Sequence, residues 1–314
     1  MSILLAETGW DPAPWLKRFG ALLPGCEIVT PETLRDRAAV RYALAWRHPP
    51  GSLAGLPGLR AIFSLGAGVD HIFADPNLPD VPIARVVGGD LAQRMGEWVI
   101  LHCLMHLRQT RRYQRQQQER VWEVDFSEPA ASEVRVGLMG LGELGRSAAR
   151  KLVTLGFQVA GWSASPREEP GVACFYGPDG LDSMLARTDI LVALLPLTPA
   201  TRGILNAGLF AKLARDGRLG GPVLLNCGRG GLQVESDILA ALDSGALKGV
   251  SLDVFETEPL PADSRLWRHP AVILSPHNAA ISSPDATARA IAEQILAHER
   301  GQPLKHLLDR AKGY

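Results

Sequence analysis

Short apolar runs closed by Gly, Pro or Asp recur along the chain, with stretches of amphipathic character between them. In the N-terminal third this pattern predicts strands at Ile3–Ala6, Tyr42–Trp46 and Ala61–Leu65. Further on it predicts strands at Val134–Met139, Phe157–Trp162, Asp189–Leu195, Val223–Asn226, Gly249–Val254 and Val272–Ser275. Strands alternating with helical stretches imply an α/β fold with parallel sheets. The apolar segment Trp98–Leu107 passes into RQTRRYQRQQQER (108–120) without Pro or Gly, which predicts one long helix leaving its core. No internal repeat and no long low-complexity segment breaks the alternation.

Composition narrows the partners of such a fold. A chain of 314 residues, 46% apolar and 21% charged, is long enough for two domains with a core in each. Lys plus Arg equals Asp plus Glu, 33 each, so the whole molecule has no electrostatic pull toward nucleic acid or membrane. The one charged run, 108–120, holds five arginines, one glutamate and Tyr113 as its only aromatic. It reads as a solvated helix end, or one packed on a partner subunit, rather than a nucleic-acid patch. Stretches such as Ile190–Leu195 are too short to span a bilayer, and the start MSILLAETGW lacks the basic region of a secretory signal. Cys26, Cys103, Cys174 and Cys227 show neither a CxxC pair nor zinc spacing, so no metal site is expected, and reduced thiols in a cytoplasmic protein are.

The first chemistry lies at VRVGLMGLGELG (134–145), where a strand feeds Gly140, Gly142 and Gly145 and a helix follows. In that context the glycines serve a tight turn, close backbone approach to a pyrophosphate, and helix packing. Glu143 and Leu144 open the helix whose N-terminal N–H groups would face the phosphates. The next strand ends at VAGWSASPREE, with Ser163 where an acid usually grips the adenosine ribose. A carboxylate there would repel a 2′-phosphate, whereas Ser163 accepts one and Arg167 could pair with it. Glu168 and Glu169 would partly neutralise that arginine. NADP(H) is therefore the expected cofactor, with NAD also possible.

Further motifs follow in order: LLPLTPATRGIL (194–205), LLNCGRGGLQVESDILAALDSG (224–245), SLDVFETEPLP (251–261) and SPHNAA (275–280). With the glycine loop they resemble the D-isomer-specific 2-hydroxyacid dehydrogenases. The segment 42–72 and the ending DRAKGY resemble the glyoxylate/hydroxypyruvate reductase A branch of that family. The resemblance implies two Rossmann-like domains, a flavodoxin-like substrate domain (1–98 and 281–314) and a dinucleotide-binding domain (99–280) inserted into it. It also implies crossings through two long helices, near residues 98 and 280, and a homodimer formed through the cofactor domain, with the 108–120 helix and Trp122 as candidates.

The same resemblance assigns chemistry. Arg229, just after the strand Val223–Asn226, suits a substrate carboxylate and polarises the adjacent carbonyl. His277 is the expected acid of a reduction and base of an oxidation, and Glu258 is its family partner, orienting the imidazole. Asp253 would hold the nicotinamide end, although an Asp at a strand end also serves as a turn former. Pro196, Thr201, Cys227 and Gly228 would line the cofactor cleft, and Asn278 could add a hydrogen bond to nicotinamide. In the first domain, the Ala67 and Gly68 N–H groups would clasp the substrate carboxylate, and Trp46 would wall a pocket for small acids. The expected activity is reduction of glyoxylate and hydroxypyruvate. An NADH-linked dehydrogenase of a larger acid and a dinucleotide-sensing scaffold are the alternatives.

Overall fold

A computed structural model describes residues 1–86 and 89–310; the last four residues of the DRAKGY ending lie outside the described residues. The chain divides into two compact units, one formed by Met1–Leu91 with the segment from Ser282 onward, the other by Ala92–Ile281. In the first unit lie β1 (Ser2–Glu7), β2 (Glu27–Val29), β3 (Val40–Trp46), β4 (Ala61–Ser64) and β5 (Ile83–Arg85). All pair in parallel in the order β2-β1-β3-β4-β5, the flavodoxin-like arrangement. Along β1, Ile3 and Leu5 enter one core layer and Leu4 and Ala6 the opposite one, as the two-residue period requires. The helix Pro284–Glu299 returns to this sheet, burying Ala288, Ile291, Ala292 and Ile295 in the layer of Ile3 and Leu5.

The second unit carries β6 (Arg135–Met139), β7 (Gln158–Ser163), β8 (Ala173–Tyr176), β9 (Ile190–Ala193), β10 (Val223–Asn226), β11 (Gly249–Leu252) and β12 (Val272–Leu274). They form one parallel sheet in the order β12-β11-β10-β9-β6-β7-β8. Every residue of β9, β10 and β11 is buried, because helices cover both faces of a parallel sheet. The strand order reverses between β6 and β9, where an open α/β sheet leaves a crevice for ligands at its carboxyl edge.

Three features depart from the expected pattern. Strands β2, β5 and β8 were not foreseen, and each is a sheet edge of only three or four residues. The first boundary between units falls after Leu91 rather than at residue 98, since Met95, Trp98 and Val99 pack with Val134 and Val136 of the second unit. The single helix expected through 120 is two, Gly89–Leu107 and Thr110–Glu119, divided at Gln109, whose φ is +48°. That break turns the arginine run onto acidic residues downstream. Gln109 donates to Asp125 at 2.7 Å, and Arg112 pairs with Asp125 at 2.8 Å and Arg108 with Glu128 at 3.2 Å. None of the described helices is long and apolar enough to cross a membrane.

Candidate active site

The glycine loop follows β6 at the reversal point of the second sheet. Gly140 has φ +112°, a conformation L side chains rarely adopt, and a Cβ on Gly145 would lie 1.8 Å from the Gly140 carbonyl oxygen. Only glycine allows the helix Glu143–Thr154 to begin this close to the strand end. A Cβ at Gly142 would instead meet nothing within 4 Å, so the loop has an open side beside the helix N-terminus. First-turn N–H groups have no partner within a helix, so Glu143, Leu144 and Gly145 supply donors to an anion at that side. A dinucleotide pyrophosphate fits this cradle.

At the end of β7, Ser163 donates its hydroxyl to the Ser165 carbonyl at 2.7 Å, and Arg167 is exposed. Glu169 is buried and held by Arg150 through two hydrogen bonds, of 2.6 and 3.0 Å, a pairing that holds its carboxyl below the usual range. Glu169 is thus committed to Arg150, contrary to the expectation that it offsets Arg167. After β9, Thr201 Oγ1 donates to the Pro196 carbonyl at 2.7 Å and accepts from the Thr198 amide at 2.8 Å, which shapes the 196–201 turn.

Three neighbouring strands, β10, β11 and β12, present Arg229, Asp253 and His277 at their carboxyl ends. The loop carrying Arg229 is fixed from below by Asn226, which is fully buried. Asn226 accepts from the Gly228 amide at 3.1 Å and donates to the Arg229 carbonyl at 3.1 Å and to Gln233 at 2.8 Å. Arg229 is half-buried, with one guanidinium nitrogen donating to the Gly228 carbonyl at 2.7 Å. Cys227 is buried against the Ala193 carbonyl, and burial pushes its thiol well above the usual range, so it stays neutral.

His277 stands at φ +53° and shares a 2.7 Å hydrogen bond between Nδ1 and Glu258 Oε2. A carboxylate only accepts, so Nδ1 carries the hydrogen and the ring turns Nε2 away from Glu258. Glu258 is itself held by the Phe255 amide at 3.2 Å. Asp253 is 2% exposed, and its two carboxylate oxygens accept from Ser275 Oγ, the Asn278 amide and the Ala279 amide. The structure therefore puts Asp253 under the His277 loop as its anchor, while the Asn278 side chain is exposed. Asn226, Gln233 and Ser275 were not anticipated as site residues. Asn226 carried the clearest signal, a polar residue ending an apolar strand.

In the first unit, β4 ends in a loop folded on its own serine. Ser64 Oγ donates to the Gly66 carbonyl at 2.7 Å, and Gly66 lies against the Trp46 ring so closely that a Cβ would be 2.2 Å from it. Neither the Ala67 nor the Gly68 amide donates to another described residue. Trp46 stacks on Trp10 at 5.1 Å and meets His71 edge-on at 4.7 Å. Among the described residues no group of His, Cys, Asp and Glu is arranged to hold a metal ion.

Comparison with known proteins shows the family of the chain. Residues 100–279 match the family described as D-isomer specific 2-hydroxyacid dehydrogenase, NAD binding domain. The glyoxylate/hydroxypyruvate reductase A of Serratia proteamaculans is 39% identical over 100% of both chains. Among solved structures, the NADPH-dependent glyoxylate/hydroxypyruvate reductase of Sinorhizobium meliloti, in complex with NADP and sulfate, is 47% identical. It superposes with a TM-score of 0.94 over 100% of this chain and 99% of that one. A probable 2-hydroxyacid dehydrogenase from Rhizobium etli, in complex with NADP, HEPES and L(+)-tartaric acid, gives 44% identity and a TM-score of 0.95 over 100% and 99%. The chain belongs to the D-isomer specific 2-hydroxyacid dehydrogenase family, in its glyoxylate/hydroxypyruvate reductase A branch.

Proposed function

We propose that the protein reduces small 2-oxo acids, glyoxylate to glycolate and hydroxypyruvate to D-glycerate, with NADPH preferred and NADH usable. The observation that carries this reading is the His277–Glu258 pair at 2.7 Å, on the same sheet edge as Arg229. When bound, the reduced nicotinamide supplies the hydride. The Gly140–Gly145 loop and Pro196, Thr201, Cys227 and Gly228 hold the dinucleotide, and Ser163 and Arg167 receive the 2′-phosphate. In the second unit Arg229 binds the substrate carboxylate and polarises the carbonyl; in the first, the Ala67 and Gly68 N–H groups and Trp46 keep the substrate-binding roles that the family resemblance gives them. His277 gives its Nε2 proton to the carbonyl oxygen, while Glu258 keeps Nδ1–H engaged and stabilises the ring through the transfer. In the oxidative direction His277 takes the proton back.

Two further parts of the reading are coarser. Trp122 is 96% and Phe126 93% exposed beyond the helix Thr110–Glu119, which supports a homodimer formed through the cofactor unit. Four free cysteines suit a reducing compartment, and a cytoplasmic location accords with that.

Initial rates with glyoxylate, hydroxypyruvate, pyruvate and phenylpyruvate, each with NADPH and NADH, test the activity. The first two acids with NADPH are expected to be fastest. No turnover of any of the four would sink the enzymatic reading, and faster rates with NADH would sink the cofactor preference alone. Light scattering on the same preparation is expected to return twice the chain mass of 33.8 kDa. The monomer mass would remove the dimer.

A further inference from the structure

A line of polar contacts runs from the core helix of the second unit to the loop that carries His277. Trp98, in the helix Gly89–Leu107, is buried and donates its indole Nε1–H to Ser275 Oγ at 3.0 Å. Ser275 donates its own hydroxyl to Asp253 Oδ1 at 2.6 Å. Asp253 then gathers three successive amides. Its carbonyl accepts from His277 at 2.7 Å, and its carboxylate from Asn278 at 2.9 Å and Ala279 at 3.0 Å. That convergence holds His277 at φ +53°, a region a non-glycine residue occupies only when its surroundings impose it.

The hydroxyl in the middle is the adjustable part. A serine has one hydrogen to give and rotates to suit its neighbours, so it serves Asp253 only when that hydrogen points at Oδ1. An indole N–H, which can only donate, occupies the acceptor side of Ser275 and excludes the other rotations. The indole is itself fixed by stacking on His102, with ring centroids 3.9 Å apart. A buried carboxylate that loses a donor carries the cost of unsatisfied lone pairs, and the loop relaxes in response.

We infer that Trp98 is a positioning residue for the reaction, whose indole N–H acts through Ser275 and Asp253 to hold the backbone that aims His277. The inference rests on the reading of His277 as proton donor. It gives a core tryptophan, 177 residues before Ser275, a part in turnover without contact with substrate.

The test uses the full-length protein with glyoxylate and NADPH. Trp98→Phe keeps a ring against His102 and removes the N–H, and Ser275→Ala breaks the same link without touching the stack. Each is expected to lower kcat about tenfold, the worth of one buried hydrogen bond, with the NADPH dissociation constant within about twofold of wild type. The solvent deuterium isotope effect on kcat should rise, because transfer from a misaimed imidazole becomes slower. The double variant should be no worse than either single one, and Ser275→Thr, which keeps the hydroxyl, should retain most of the activity. Wild-type kcat in both single variants would overturn the inference. So would a lower kcat with an unchanged isotope effect and NADPH binding weakened in step, the signature of a general packing defect. A wild-type protein that reduces no 2-oxo acid overturns the proposed function and this inference with it, whereas an active wild type matched by its variants overturns the inference alone.

Discussion

Two histidine–carboxylate pairs that follow strand ends, His48–Asp75 in the first unit and His277–Glu258 in the second, are treated differently by the fold. His48 follows β3 and meets Asp75 at 3.1 Å, while His277 follows β12 and meets Glu258 at 2.7 Å. The first pair is sealed, with side-chain exposures of 0% and 2%; the second is open, at 38% and 23%. Asp75 also accepts from the Gly51 and Asn77 amides. Burial opposes its ionisation, but those amides and the His48 ring outweigh it and hold the carboxyl below its usual range. His48 thereby staples the loop after Trp46 to the segment after Phe73, and no ligand reaches its ring. Partner type is the same in both pairs, so exposure decides which histidine can exchange a proton with a substrate.

The largest effect should separate the pairs by activity. His277→Ala is expected to lower kcat for glyoxylate about a thousandfold while the protein still binds NADPH and melts near the wild-type temperature. Steady-state rates with a fluorescence titration of NADPH check this, and unchanged turnover would move the proton donor elsewhere. Asp75→Ala should do the reverse. Removing one member of a buried pair costs about 3 kcal/mol of stability, read by urea denaturation, with kcat changed less than about threefold. A variant as stable as wild type would mean that the sealed pair is not a structural staple.

A smaller effect per residue comes from histidines that have lost the carboxylate altogether. Burial pushes His102 down to about 4, and burial together with the neighbouring His102 pushes His106 down to about 3. Both are neutral in the fold and take up protons on unfolding at the ordinary value near 6.5. Their contribution to stability is therefore complete above about pH 6.5 and is lost as the pH falls toward 4. Each histidine should cost the fold about 2 kcal/mol between pH 7 and pH 5, and His102→Leu should remove about half of that slope. Denaturation midpoints at pH 7, 6 and 5 measure it, and an identical slope in the variant would count against buried neutral histidine as the cause.

Much of this was readable from sequence where the signal was local. The glycine loop, Arg229, Glu258 and His277 sit within short ordered motifs, and strands such as β9 carry unbroken apolar runs. Edge strands escaped because they are short and partly exposed. Glu27, Arg85 and Tyr176 look like loop residues until a neighbouring strand pairs with them. The helix break at Gln109 escaped because glutamine is a good helix former, and what turns the chain there is a set of pairings with Asp125 and Glu128.

The sequence by itself determined the α/β alternation and the glycine loop and put forward the side chains proposed to react, since each depends on residues close together in the chain. Only the tertiary structure decided that His277 is open and His48 sealed, that Glu169 belongs to Arg150, and that Asp253 anchors the His277 loop with Trp98 behind it. Those outcomes depend on burial and on hydrogen bonds between residues tens to nearly two hundred positions apart, and no local pattern records which distant partner the fold will bring into reach.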